Sequence, residues 1–235
     1  MMLKFTLLGA MLLMITPIDY AQYYGSDYRD AKSYLREHQS DFLDVAALTQ
    51  CEPRELASIL FPELIRYSLL RDFFETKALE LLYIEHGKGT ADFSIGRFQM
   101  KPSFAENVEA YLSNSEKLKP YFADLLFYEK EDVVYRREKR VERLKNQRWQ
   151  LMYAAALLKI SYEKFLGEMT APPKERVRFL ATVYNHGFLE DAPAIRQWIT
   201  KENFPYGVKY PGPQHAYADV AADFFEKFSK ELMTP

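Results

Sequence analysis

The chain has 235 residues, of which 48% are hydrophobic, which is enough material for one sizeable buried core. Its 31 basic and 33 acidic residues give a formal net charge of −2, and this balance argues against a protein built mainly to hold nucleic acid. The single cysteine, Cys51, excludes an internal disulfide framework, and the 9 glycines are too few to favour a turn-dense all-β fold.

The first residues are typical of a secretory signal peptide. Lys4 precedes the apolar residues 5–15, and a proline break and Ala21 follow them. The apolar run is shorter than the roughly 20 residues that a membrane span needs, so no stable span is expected in the mature chain. We predict a signal peptide over 1–21 and one exported domain over 22–235, in the periplasm or bacterial cell envelope. The alternative is a buried N-terminal helix.

The rest of the chain has apolar residues at helix-like spacings. Without a repeat or a linker rich in Gly and Ser, this pattern predicts one all-α domain. Pro62 is expected to kink or restart its helix. Asp27 is a candidate cap for the first helix. The predicted helices cover residues 28–48, a segment that begins at Pro53, residues 73–86, residues 103–112, residues 129–166, the segment from Pro173 to Gly187, and residues 216–232. The predicted loops cover residues 87–92 and 203–214.

Several familiar chemistries are not indicated. The chain has no glycine-rich phosphate loop and no nucleophile-elbow serine. Its 4 histidines are scattered rather than paired at metal-ligand spacing, and Cys51 has no obvious catalytic partner. We therefore expect neither a metal nor a cofactor. The basic residues 136–148 are predicted to form a solvated helix face, with binding of an anionic polymer or nucleic acid as the alternative.

Residues 58–68 place one carboxylate, Glu63, inside an otherwise apolar stretch. Burial against apolar groups raises the pKa of a carboxyl and keeps it protonated, as a general acid requires. Two alternatives stay open. In the first, Glu63 is exposed or salt-bridged, for example to Arg66. In the second, Glu63 lies in the first turn of a helix that restarts at Pro62, where the helix dipole favours the ionised carboxylate.

Two later segments combine glycine with aromatic and polar side chains. In residues 92–104, Gly96, Gln99 and Met100 can form a backbone wall beside a ligand, or simply a turn that leads into a helix. In residues 181–188, Tyr184 and Asn185 precede Gly187. This segment is either part of a site or a glycine-terminated helix with Tyr184 in the core.

Together these segments, in this order, resemble the lysozyme-like fold of soluble lytic transglycosylases and goose-type lysozymes, over roughly residues 45–228. The resemblance places the family's catalytic glutamate on Glu63. Leu64 stands where the family has serine, and Pro62 is unusual beside the acid. Glu75, which is followed by Thr76, fits the family's spacing better and is the alternative acid. The resemblance implies that Gly96, Gln99, Met100, Tyr184, Asn185 and the late Tyr217 bind the substrate.

The resemblance implies cleavage of the β-1,4 bond between N-acetylmuramic acid and N-acetylglucosamine in peptidoglycan glycan strands. One glutamate suffices for the lytic route, which ends in a 1,6-anhydro-muramic product. A hydrolase of this kind would instead want a second carboxylate, for which Asp92 is available. A further alternative is a non-catalytic peptidoglycan-binding or envelope assembly protein on the same fold.

Overall fold

Helices dominate the computed structural model, which describes residues 18–70 and 77–234. The all-α prediction is confirmed, with one short antiparallel sheet of strands β1 (Glu202–Phe204) and β2 (His215–Ala216) in this part of the chain. A short 3-10 helix, Lys119–Phe122, precedes α6. The α-helices are α1 (Tyr20–Glu37), α2 (Gln39–Thr49), α3 (Pro53–Leu70), α4 (Lys77–His86), α5 (Pro102–Asn114), α6 (Ala123–Leu126), α7 (Val133–Lys145), α8 (Gln147–Lys164), α9 (Leu166–Met169), α10 (Pro173–His186), α11 (Ala192–Trp198), α12 (Tyr217–Lys227) and α13 (Ser229–Leu232).

Helix α3 lies at the centre and packs against α1, α2, α10 and α12. It runs through Pro62 as one helix, so the predicted restart there is wrong. A proline inside a helix costs about 3 kcal/mol, because it removes one backbone hydrogen bond. Burial of the surrounding turns offsets this cost. Ile59, Leu60 and Phe61 are fully buried, and Phe61 stacks on Phe224 with ring centroids 4.1 Å apart.

Three predicted helices are each divided in two. The first divides at His38 and the last at Phe228, where the backbone leaves the helical region. The helix predicted over residues 129–166 divides at Asn146. The side chain of Asn146 accepts a hydrogen bond from the Trp149 N–H at 3.3 Å and so caps α8. The hydrophobic pattern alone does not reveal these divisions.

The start of α1 differs from the prediction. Asp19, not Asp27, caps this helix by accepting from the Ala21 and Gln22 N–H groups at 3.1 and 3.3 Å. Asp27 instead accepts a hydrogen bond from the Ser68 hydroxyl at 2.8 Å. The predicted cleavage after Ala21 falls inside α1, and residues 1–17 of the predicted signal peptide lie outside the described part. Among the helices of 18–70 and 77–234, none combines the length and apolar character that a membrane crossing needs.

Candidate functional site

A cleft of about 370 Å³ opens where α3, the loop before α5 and the end of α10 meet. These segments are far apart in the sequence, and the fold of the chain brings them together around one space. Most of the predicted site residues line it. The predicted residues that line the cleft are Glu63 of α3, Gln99 and Met100 of the loop, and Tyr184 and Asn185 of α10.

Glu63 is buried in the wall of this cleft, with 3% of its surface exposed. Arg66 donates a hydrogen bond from Nη1 to Glu63 Oε1 at 2.6 Å, while Glu63 Oε2 has no hydrogen-bond partner among the described residues. Burial raises the pKa of the Glu63 carboxyl, and the positive charge of Arg66 opposes this shift. Glu63 is therefore both buried, as the first interpretation predicts, and salt-bridged to Arg66, as one of its alternatives predicts. The first-turn reading is wrong because α3 begins at Pro53.

Arg66 is a site residue that the sequence analysis considered only as a partner for Glu63. Arg66 lines the cleft, and its Nε donates a hydrogen bond to the Pro205 carbonyl at 3.0 Å, which anchors the guanidinium. Its guanidinium also lies 5.0 Å above the centre of the Phe204 ring. The spacing of three residues between Glu63 and Arg66, which places them on one helix face, is the sequence signal for this pair.

The loop before α5 is closed by a pair of backbone hydrogen bonds. The Ile95 N–H donates to the Met100 carbonyl at 2.9 Å, and the Met100 N–H donates to the Ile95 carbonyl at 3.1 Å. Gln99 lies in this turn at a φ of 52°, and its side-chain amide donates to the Gly96 carbonyl at 2.8 Å. Gln99 thus holds its own turn in shape while it lines the cleft.

Gly96 does not line the cleft. It has a φ of 69°, and a Cβ added there would lie 2.4 Å from the side-chain nitrogen of Gln150. That nitrogen donates to the Ile95 carbonyl at 2.7 Å. The close approach that this glycine permits in the structure is to Gln150 of α8.

The Gly96→Ala variant is expected to lose about 1–3 kcal/mol of unfolding free energy, because alanine is strained at this positive φ. The clash with Gln150 adds to the cost. The matched control is Gly167→Ala in α9, where nothing lies within 4 Å of the added Cβ. That change should be neutral or stabilise the helix by about 0.5–1 kcal/mol. Urea unfolding of both variants measures the difference, and equal effects would contradict this account of Gly96.

Tyr184 and Asn185 lie in the last turn of α10, which ends at Gly187 as predicted. The Tyr184 hydroxyl donates to the Phe98 carbonyl at 2.5 Å, which ties α10 to the loop before α5. Burial, with the nearby Glu63 charge, holds the pKa of Tyr184 well above its usual value, so the hydroxyl stays protonated. Tyr184 therefore belongs to the cleft and is not only a core residue.

Tyr217 is a core residue that supports α3 and does not line the cleft. It is 3% exposed, and its hydroxyl donates to the Ile59 carbonyl at 2.8 Å. Burial and the neighbouring Glu63 charge raise the pKa of Tyr217 well above its usual value. The resemblance implied direct contact between Tyr217 and substrate, whereas in this geometry Tyr217 lies next to Glu63 and outside the lining of the cleft.

Asp92 lies at the edge of the cleft, and both of its carboxylate oxygens hold the start of α5. They accept hydrogen bonds from the Ser103 N–H at 3.0 Å and from the Ser103 hydroxyl at 2.9 Å. Lys101 lies 3.7 Å from the same carboxylate. The geometry thus matches a helix cap. Glu75, the alternative acid, lies outside the described residues.

The basic residues 136–148 are largely engaged within the chain. Arg140 is buried against Glu109, with an Nη2–Oε2 distance of 2.6 Å, and Arg143 donates to the Leu125 carbonyl at 2.9 Å. The solvated-face prediction is therefore wrong for Arg140, although it suits Lys139, which is partly exposed and pairs with Glu142 on the same helix. The opposite side of α7 is a packing face.

The part of the chain that the structure describes has neither a reactive thiol nor a metal centre. Cys51 is half-buried, and burial raises the pKa of its thiol to about 11, which keeps it in the unreactive protonated form. Over residues 18–70 and 77–234, no group of three or more His, Cys, Asp or Glu side chains is placed to hold a metal ion.

No protein-family model matches the chain, and no curated protein or solved structure matches it. The function is therefore inferred from the geometry of the cleft and from the resemblance of its motifs.

Proposed function

We propose that this protein is a peptidoglycan lytic transglycosylase of the lysozyme-like type, exported to the bacterial envelope, with Glu63 as its single catalytic acid and base. One observation carries the proposal. A buried glutamate with an unpartnered oxygen lines a cleft together with Gln99, Tyr184 and Asn185, which come from two other segments of the chain. These are the segments, in the same order, that carry the resemblance.

Glu63 supplies both proton transfers of the lytic route. In its protonated form it donates a proton to the glycosidic oxygen between N-acetylmuramic acid and N-acetylglucosamine, and that bond breaks. The resulting carboxylate then accepts the proton of the muramyl 6-hydroxyl, whose oxygen bonds to the anomeric carbon and closes the 1,6-anhydro ring. Gln99 and Asn185 have the side-chain amides needed to orient the sugar N-acetyl and hydroxyl groups.

The commitment of Asp92 to the α5 cap favours the lytic route over hydrolysis. A hydrolase needs a second carboxylate near the bond, either to attack the sugar or to activate a water molecule. Because both Asp92 oxygens already accept hydrogen bonds from Ser103, this carboxylate is poorly suited to either role.

The ion pair between Glu63 and Arg66 favours a second candidate function. A guanidinium 2.6 Å from a carboxylate stabilises its ionised form, which cannot act as a general acid. The alternative is therefore a non-catalytic peptidoglycan-binding or envelope assembly protein that uses the same cleft. Assays of the purified protein on peptidoglycan separate the two functions, since the alternative predicts binding without release of soluble fragments.

The pH dependence of cleavage tests the role of Glu63. Because burial raises the pKa of Glu63, the protonated form persists to higher pH than for an ordinary glutamic acid. The value of kcat/KM should be highest at acidic pH and fall about tenfold per pH unit above that pKa. Folding stability should decline as the pH rises from the ordinary pKa of glutamic acid to the raised pKa of Glu63, because in this window the folded state keeps the proton that the unfolded state has lost.

The stability measurement has a direct control. In Glu63→Gln the decline of stability in that window should disappear, because the group that titrates is gone. If the stability of the wild type relative to Glu63→Gln instead rose with pH across the window, Arg66 would outweigh burial, and the assignment of Glu63 as an acid would be contradicted.

A further inference from the structure

Arg66 is a cation that lines the cleft, and the Nε end of its guanidinium is held by the protein. Its Nε hydrogen bond to the Pro205 carbonyl and its position above the Phe204 ring orient the guanidinium beside Glu63. Its Nη1 donates to Glu63, and within the described residues its Nη2 makes no hydrogen bond. A guanidinium can grip a carboxylate with two parallel hydrogen bonds, and the bond to Glu63 uses only one carboxylate oxygen.

The other basic groups of the cleft are less suited to hold an anion. Lys101 already faces the Asp92 carboxylate at 3.7 Å. Burial lowers the pKa of His186, which favours its neutral form. Arg66 is thus the cation of the cleft that a negatively charged sugar would meet next to the proposed acid.

Building on the proposed function, we infer that Arg66 binds the lactyl carboxylate of a muramyl sugar and releases Glu63 as it does so. The guanidinium is rigid and planar, so the exchange turns it as a whole from Glu63 toward the sugar carboxylate. In wall glycan this carboxylate is free only where the stem peptide has been removed, since the peptide is joined to it through an amide. The substrate class that fits best is therefore peptide-free glycan.

The exchange of partners has a consequence for the proton on Glu63. Once Arg66 pairs with the sugar carboxylate, Glu63 is a buried carboxylate without a countercharge, so it takes up one proton from the solvent and becomes the acid that cleavage needs. Among the residues that the structure describes, no other group beside it supplies a positive charge, since Tyr184 of α10 and Tyr217 of α12 present neutral hydroxyls. The remaining titratable groups that line the cleft within residues 18–70 and 77–234 are Asp92, Lys101, His186 and Glu190.

Calorimetric titration in buffers of different ionisation enthalpy measures this proton uptake. The ligand is the disaccharide of N-acetylglucosamine linked to N-acetylmuramic acid, which carries the carboxylate but lacks the bond that the enzyme would cut. The control is chitobiose, which is matched in length and lacks the carboxylate. We expect the first sugar to bind at least tenfold more tightly than chitobiose, with uptake of up to about one proton, and chitobiose to take up none.

Two variants complete the experiment. Glu63→Gln should bind the carboxylate sugar at least as tightly as the wild type but without proton uptake, because the titrating group is absent. Arg66→Lys should lose about tenfold in affinity for that sugar alone, since lysine lacks the two-pronged fork. Equal affinity for the two sugars, or tight binding without uptake in the wild type, would overturn the inference even if peptidoglycan were cleaved. Uptake without cleavage would instead overturn the proposed function and leave the carboxylate site standing.

Discussion

The Glu63→Gln variant is expected to lose peptidoglycan cleavage by about a thousandfold while it keeps its fold, because general acid–base catalysis by a positioned side chain contributes on this scale. Glutamine has nearly the same shape as glutamate, and its amide oxygen can still accept the hydrogen bond from Arg66. It cannot donate the proton that the glycosidic oxygen requires. Release of soluble muropeptides from purified peptidoglycan, followed by chromatography, measures the loss.

Two matched carboxylate changes serve as controls for this experiment. Glu75→Gln tests the alternative acid and should leave the rate within a fewfold of the wild type. Asp92→Asn removes the charge that a hydrolase would need but keeps one oxygen to accept from Ser103, so it should lower the rate only slightly. Full activity in Glu63→Gln, with a loss in Glu75→Gln, would move the catalytic role to Glu75.

The Arg140→Ala variant is expected to lose about 3–5 kcal/mol of unfolding free energy, because it leaves a buried carboxylate without its countercharge. Arg140 and Glu109 are 6% and 4% exposed, and the guanidinium contacts both oxygens of Glu109 at 2.6 and 3.1 Å. The hydroxyls of Tyr128 and Tyr153 donate to the same carboxylate at 2.7 and 2.6 Å. This network ties α5, α7 and α8 together.

The neighbouring residue of α7 provides the control. Lys139 also pairs with a glutamate, Glu142 at 2.7 Å, but this pair is exposed to solvent, which screens it. Lys139→Ala should therefore leave the denaturant midpoint unchanged within error. If the two variants lost equal stability, the division of the basic stretch into a buried and an exposed face would be wrong.

The positions of the helices could be predicted largely from local signals. Gly187 ends α10 and Pro173 opens it, since each residue type has a backbone preference that acts without the rest of the fold. Pro62 shows where such signals fail. The burial of Ile59, Leu60 and Phe61 around it compensates the lost hydrogen bond, and that burial is decided by helices distant in the sequence.

The candidate site could be predicted in part from motif order. Glu63, Gln99 and Tyr184 line one cleft, but the same patterns also indicated Gly96 and Tyr217, which serve the packing around it. A glycine that accommodates Gln150 and a glycine that accommodates a sugar have the same sequence signature. Which neighbour fills the space is set by tertiary contacts, so only the structure separates them.

Digestion of peptidoglycan and peptide-free glycan strands by the purified protein in isotopically labelled water tests the central claim most directly. The lytic route predicts soluble products that end in 1,6-anhydro-muramic acid, are one water molecule lighter than hydrolytic fragments, and carry no oxygen label. These products should be absent from a parallel digestion with Glu63→Gln. Labelled reducing ends would show hydrolysis instead, and the absence of any product from the wild type would contradict the enzymatic function altogether.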